Sequence, residues 1–166
     1  MAEYLVMDLK SGPVKIRLRP DLAPNHVARV TELTEQGFYD GIVFHRVIPG
    51  FMAQTGDPTG TGSGGSDLPD LKAEFSGEKH KRGTLSMART NAPHSATSQF
   101  FVNLKDNDFL DYRPGNHGYA VFAKVTEGMD TVDRIAAVRT GRRQGYTDAP
   151  MEDVLITSAR RVTPAA

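Results

Sequence analysis

Alternating hydrophobic residues predict a β-hairpin at the start of the chain. Every second residue is hydrophobic from Leu5 to Leu9, and the same spacing returns from Val14 to Leu18 after a Lys-Ser-Gly turn. Side chains of a strand point alternately to its two faces, so each of these segments would bury one face and expose the other. The two segments with the turn between them therefore predict a hairpin packed on a core.

Two other stretches have hydrophobic residues at helical spacing. The first begins at Pro24, which suits the first position of a helix, and ends before Gly37. Its stripe consists of Val27, Val30, Leu33 and Thr34. The second follows Gly128, and its stripe consists of Met129, Val132, Ile135 and Ala136. Stripes with a period of 3.6 residues predict two amphipathic helices.

The remaining hydrophobic stretches have strand character. They are Val43 to Asp57, with a Pro49-Gly50 corner between two short strands, Gly83 to Ala88, Ser98 to Asn103, Tyr119 to Val125 and Val154 to Val162. Gly56 to Gly65 and Gly141 to Asp148 are rich in glycine and polar residues and predict loops. About eight short strands with two distant helices favour an antiparallel barrel or sandwich over a doubly wound sheet.

Composition narrows the range of partners. The 166 residues are 39% hydrophobic and 24% charged, which predicts one globular domain over 1–166. Twenty basic residues balance twenty acidic ones, so we expect neither nucleic acid nor a membrane as partner. There is no cysteine, which excludes disulfides and fits a reducing compartment. The N-terminal residues resemble neither a signal nor a membrane span, so we expect a cytoplasmic protein. A monomer is the default expectation for its oligomeric state.

The sequence lacks the residue patterns of three common kinds of site, namely a metal site, a dinucleotide-binding site and a serine hydrolase active site. The five histidines show no i,i+4 pair, so a metal site would require distant loops, and we predict neither metal nor cofactor. Gly60, Gly62 and Gly65 match G-x-G-x-x-G, but Pro69 blocks the helix that a dinucleotide site requires. Ser63 lacks the G-x-S-x-G elbow of a hydrolase, because residue 61 is threonine.

The remaining candidates for functional residues are polar residues within two hydrophobic stretches. Arg46 stands among hydrophobic residues and is followed by Gln54. The arginine either extends its charge to solvent or lines a polar spot in a hydrophobic cleft. Gln99 and Phe101 share one strand face, which either lines a partly wet pocket or packs in a second small core. A hydrophobic surface with a few hydrogen-bonding groups suits a neutral peptide better than a charged metabolite.

Several ordered segments resemble the cyclophilin-type peptidyl-prolyl cis-trans isomerases, especially the compact bacterial ones. The resemblance extends from about Leu5 to about Val162. The segments that carry it are GFYDG from Gly37, VFHRVIPGFMAQ from Val43, GTLSMA from Gly83, SQFFVN from Ser98 and VF from Val121. It implies a mainly β fold, an eight-stranded antiparallel barrel closed by two α-helices, with an active-site groove on its side. It also implies faster rotation about Xaa-Pro bonds in proline-containing peptides and folding proteins.

The resemblance assigns roles to particular residues. Arg46 would donate a hydrogen bond to the prolyl nitrogen of the twisted transition state, and Gln54 is the second catalytic position. The substrate-binding positions are Phe51, Met52, Ala88, Gln99, Phe101, Phe109, Leu110 and Tyr119, of which Met52, Phe101 and Leu110 would form the proline pocket. Phe109 stands where tryptophan is common, so cyclosporin binding should be weak, and Tyr119 stands where many members have histidine. The alternative is a module that holds proline peptides without turnover.

Overall fold

The computed structural model describes most of the chain. The described residues are 4–10, 12–58, 65–66, 68–72, 74, 78–89, 95–110, 119–143, 146–151 and 154–162, with the backbone alone at 109, 142–143 and 146–148. The strands are β1 Tyr4–Leu9, β2 Gly12–Leu18, β3 Arg46–Ile48, β4 Met52–Thr55, β5 Thr84–Met87, β6 Phe100–Asn103, β7 Val121–Glu127, β8 Thr140–Arg143, β9 Tyr146–Pro150 and β10 Ile156–Val162. The helices are α1 Pro24–Glu35, α2 Met129–Ala136 and a short 3-10 helix, Asp108–Leu110.

Eight strands form one curled antiparallel sheet in the order β10-β1-β2-β7-β5-β6-β4-β3. The segments that lead into the two edge strands are hydrogen-bonded to each other. The Phe44 N–H donates to the Val154 carbonyl at 2.8 Å, and the Ile156 N–H donates to the Ile42 carbonyl at 2.9 Å. These bonds hold the beginnings of the two edge strands, β3 and β10, close together. The predicted mainly β fold, with eight antiparallel strands and two helices, is confirmed.

The remaining two strands correct one prediction. β8 and β9 pair as a separate antiparallel hairpin, with Thr140 opposite Pro150 and Gly141 opposite Ala149. The prediction of a loop over Gly141 to Asp148 is therefore wrong. That stretch has no alternating hydrophobic pattern, and strand pairing through backbone groups does not need one.

Strand β6 separates the main core from a second hydrophobic cluster. Phe100 is 2% exposed and lies in the main core, where its ring meets those of Tyr39 and Phe122 edge-on at 5.5 and 6.0 Å. Phe101 points to the opposite face and packs with Met52 and Leu110 in a second, smaller cluster. Successive strand residues alternate between faces, so β6 supplies the core and the second cluster at once.

Helix α1 takes its N-terminal cap from a distant part of the chain. Ala23 occupies the N-cap position and has no side chain that can accept a hydrogen bond, and the first turn has no acidic residue. Glu74 instead accepts the backbone N–H groups of Asn25 and His26 at 3.0 and 2.7 Å. Its carboxylate therefore satisfies donors that a helix leaves unpaired, and it places negative charge at the positive end of the helix.

The same carboxylate is bonded to the His26 ring through Nδ1. Burial lowers the pKa of His26, although the hydrogen bond to Glu74 and the negative charge of that carboxylate act in the opposite direction. Because an ionised carboxylate can only accept a hydrogen bond, the ring Nδ1–H is the donor in this contact.

Glu74→Ala should lower the free energy of unfolding by about 1–3 kcal/mol, because three donors lose a charged acceptor and part of that site is buried. Urea denaturation followed by circular dichroism measures the difference. Glu35→Ala is the matched control, since Glu35 makes an exposed ion pair with Arg161 at 3.0 Å, and such pairs contribute about 0–1 kcal/mol. A loss at Glu74 no larger than the loss at Glu35 would contradict the capping role.

Candidate active site

Three strands place a charged, a polar and an aromatic residue in one row across the sheet. Arg46 on β3 pairs with Gln54 on β4, and Gln54 pairs with Phe101 on β6. Directly opposed residues of antiparallel strands share a face, so their side chains are neighbours. Gly50, with a φ of 73°, forms the corner between β3 and β4. That left-handed conformation favours glycine and allows the tight reversal.

A small hydrophobic cluster forms the floor next to this row. Met52, Phe101 and Leu110 are buried together, and a further set of partly buried residues packs around them, namely Ile48, Phe51, Ala88 and Tyr119. A cleft of about 130 Å³ opens onto the cluster. Pockets for drug-sized ligands have volumes of about 300–1,000 Å³, so this cleft suits one small hydrophobic group.

The polar groups of the cleft are set against this floor. The Gln54 side chain donates from Nε2 to Oε1 of Gln99 at 2.9 Å, which joins the two glutamines into one unit. Arg46 lines the cleft and is half-buried. Within the described part of the chain its guanidinium has no hydrogen bond or ion pair, so its donors can serve a ligand in the cleft. Of the two alternatives for Arg46, the structure shows the cleft-lining one.

Arg89 also lines the cleft and was not predicted. Its Cζ lies 4.7 Å from the centroid of the Tyr119 ring, the geometry of a cation–π contact. The Tyr119 ring in turn meets Phe101 edge-on at 5.5 Å. The signal in the sequence was its position directly after Ala88, where a charged residue follows a hydrophobic strand.

A buried amide network supports the walls of the cleft. Asn107 donates from Nδ2 to the Phe51 carbonyl and to Oδ1 of Asn103, both at 2.9 Å. The backbone carbonyl of Asn107 accepts the Leu110 N–H at 3.0 Å. Asn103 donates to Oγ1 of Thr84 at 2.9 Å, which links the network to β5. Two residues of the cleft, Phe51 and Leu110, are thus held through one asparagine, and nothing in the sequence distinguished it from a loop amide.

The structure brings most of the predicted site residues together. Gln99 is joined to them by its bond to Gln54. The predicted residues that line the cleft are Arg46, Phe51, Met52, Gln54, Ala88, Phe101, Leu110 and Tyr119. The backbone of Phe109 belongs to the 3-10 helix, but its side chain and residues 59–64 of the glycine-rich segment lie outside the described residues. Weak cyclosporin binding therefore stays a prediction.

Two further observations concern the described ranges as a whole. In these ranges no group of three or more histidine, aspartate or glutamate side chains is placed to hold a metal ion. The longer described helix, α1, has 12 residues, and none of the described helices is long and apolar enough for a membrane span.

Comparison with known proteins decides the family. The model of a family described as "Cyclophilin type peptidyl-prolyl cis-trans isomerase/CLD" matches residues 4–161. The chain belongs to the cyclophilin-type peptidyl-prolyl cis-trans isomerases. Peptidyl-prolyl cis-trans isomerase B of Escherichia coli is 46% identical over 151 residues, which cover 89% of this chain and 92% of the relative. A probable peptidyl-prolyl cis-trans isomerase of Brucella suis is 50% identical over 142 residues, covering 79% and 70%.

Solved structures agree with the family. A cyclophilin-type isomerase of Cryptosporidium parvum has a TM-score of 0.88 and 26% identity, covering 99% of this chain and 100% of that one. Its structure in the presence of the dipeptide Ala-Pro has a TM-score of 0.86 and 26% identity, covering 97% and 99%. This cyclophilin is therefore a peptidyl-prolyl cis-trans isomerase, an enzyme that accelerates rotation about Xaa-Pro bonds.

Proposed function

We propose that the cleft lined by Arg46 and the Met52, Phe101 and Leu110 cluster is where this cyclophilin holds proline and catalyses rotation of the preceding bond. The observation that carries the proposal is the position of the half-buried Arg46 guanidinium beside a hydrophobic floor sized for a single small ring. The relative crystallised in the presence of Ala-Pro supports proline-containing peptides as the ligand class.

The reaction explains why these groups are sufficient. Rotation about an Xaa-Pro bond breaks no covalent bond, and its barrier of roughly 20 kcal/mol comes from amide resonance. When resonance is lost, the prolyl nitrogen becomes pyramidal and gains a lone pair. A hydrogen bond from Arg46 to that lone pair forms only as the bond twists, so it stabilises the transition state more than either planar state.

Arginine alone does not supply the whole acceleration. A charge-assisted hydrogen bond contributes about 1.5–3 kcal/mol, whereas a ten-thousandfold acceleration requires about 5.4 kcal/mol. The remainder comes from holding the proline ring on Met52, Phe101 and Leu110 while the rest of the peptide is positioned. Gln54, Gln99 and the Ala88 backbone are the groups we assign to that positioning.

The proposal extends to the biological setting. The substrates are proline-containing segments of unfolded or folding proteins. A site that recognises the proline ring and the peptide backbone is only weakly selective for the substrate residues on either side of the proline. We keep the single domain over 1–166, the monomeric state and the cytoplasmic location as predictions, the last on the absence of cysteine in the chain.

Chemical-shift mapping with a neutral tetrapeptide such as Ala-Ala-Pro-Ala tests the binding site. Titration into ¹⁵N-labelled protein should move the amide signals of Met52, Ala88, Phe101 and Leu110. The control region is a second hydrophobic groove of about 360 Å³, whose lining includes Leu9, Ile135, Val138, Val154 and Leu155. Shifts concentrated in that groove, with the cleft unchanged, would refute the assignment.

A further inference from the structure

We propose that this cyclophilin prefers substrates with an acidic residue next to the proline, and that Arg89 selects them. The inference rests on the proposed function, because it requires the proline ring to occupy the cleft. It adds a substrate class to a site that otherwise recognises only the ring and the peptide backbone.

The first observation is the charge of the cleft. Its described lining contains two arginines, Arg46 and Arg89, and no aspartate or glutamate. The chain as a whole has twenty basic and twenty acidic residues, so this positive charge is a local property and not part of a general basic field. The positive charge of the cleft therefore attracts groups that enter the cleft, but it does not steer anions towards the protein from a distance.

The second observation is where Arg89 stands relative to the hydrophobic floor. Phe101 belongs to the floor, the Tyr119 ring meets it edge-on with 5.5 Å between the ring centres, and the Arg89 Cζ lies 4.7 Å from the centre of the Tyr119 ring. Consecutive Cα atoms of a peptide are about 3.8 Å apart. With proline on the floor, the side chain of a neighbouring residue therefore reaches the rim that Arg89 occupies.

The third observation is the way in which Arg89 is held. Its Cζ lies over the Tyr119 ring, so this contact engages the delocalised charge of the guanidinium, whereas carboxylates are bound by its N–H groups. A guanidinium carries five such donors, so it can keep other partners and still give two to a carboxylate. Arg89 is also half-buried, which lowers the solvent screening of a charge pair.

The two arginines therefore have different tasks. Arg46 acts on the prolyl nitrogen in the transition state, which every substrate provides. Arg89 acts on a substrate side chain, and only when that side chain is acidic. The difference appears as the ratio of kcat/KM for two peptides that differ only between glutamate and its neutral isostere, glutamine.

The test uses four tetrapeptides, with glutamate or glutamine directly before or directly after the proline, because a carboxylate can reach Arg89 from either side. Exchange spectroscopy measures kcat/KM for each. In at least one position glutamate should be favoured by about three- to fivefold at low salt, and the preference should shrink in about 1 M salt. A ratio near one in both positions, with all four peptides accelerated, would overturn the preference and leave the proposed function intact.

Two variants assign the preference to a residue. Arg89→Gln should bring the glutamate-to-glutamine ratio to about one. Arg17→Gln, which removes the same charge from an exposed position on β2, should keep the wild-type ratio. A preference that survives Arg89→Gln would refute the role of Arg89. Failure of the wild-type protein to accelerate any of the four peptides would instead contradict the proposed function.

Discussion

Arg46→Ala should lower kcat/KM for prolyl isomerisation by about 10- to 150-fold, the loss that corresponds to one charge-assisted hydrogen bond. The fold should be retained, since the guanidinium lines the cleft and, in the described ranges, makes no hydrogen bond that the fold depends on. The measurement is the exchange rate of a proline tetrapeptide at catalytic protein concentration, together with a thermal melt.

Two further variants serve as controls for the Arg46→Ala result. Arg46→Lys should recover little of the loss, because a compact ammonium group cannot present the planar fork of a guanidinium. Arg17→Ala, on an exposed face of β2, should have near-normal turnover. Turnover of Arg46→Ala within about twofold of the wild-type value would show that the transition state is stabilised by other groups.

Phe100→Ala should have the largest effect on stability, a loss of about 3–5 kcal/mol in the free energy of unfolding. Its side chain is 2% exposed and makes edge-on contacts with two other aromatic rings, so truncation removes buried area and leaves a cavity. Urea denaturation measures the loss, and the melting temperature should fall by about 6–20 °C for a chain of this size.

Phe101→Ala is the matched comparison, one residue along the same strand and on the opposite face. It should cost less stability, because it lies in the small cluster with Met52 and Leu110 rather than in the main core. Its effect should appear in KM for proline peptides, since the ring forms part of the floor of the cleft. Equal losses of stability, or a larger loss at Phe101, would contradict the division between core and site.

Local periodicity explains how much of the fold could be predicted. The hairpin of β1 and β2, both α-helices and the Pro49-Gly50 corner each leave a pattern within about ten residues, and such patterns can be recognised without tertiary information. The hairpin of β8 and β9 leaves none. The Glu74 cap of α1 also leaves none, because its partner, His26, is 48 residues away.

The site was predicted through ordered motifs rather than through geometry. The sequence places Arg46 among hydrophobic residues, but only the register of β3, β4 and β6 shows that it shares a row with Phe101. Arg89 and Asn107 were missed because one looks like a surface charge and the other like a loop amide. Their contribution depends on contacts with residues distant in the sequence, Tyr119 for Arg89 and the Phe51 carbonyl for Asn107.

The central claim is that the cleft catalyses rotation and does not merely hold proline. Exchange spectroscopy on a Xaa-Pro peptide with substoichiometric wild-type protein tests it most directly. Uncatalysed exchange takes tens to hundreds of seconds, and we expect cross-peaks between cis and trans signals at mixing times of about a second. A peptide that shifts the cleft signals of Phe101 and Met52, yet exchanges at the uncatalysed rate, would show a binding module and contradict the claim.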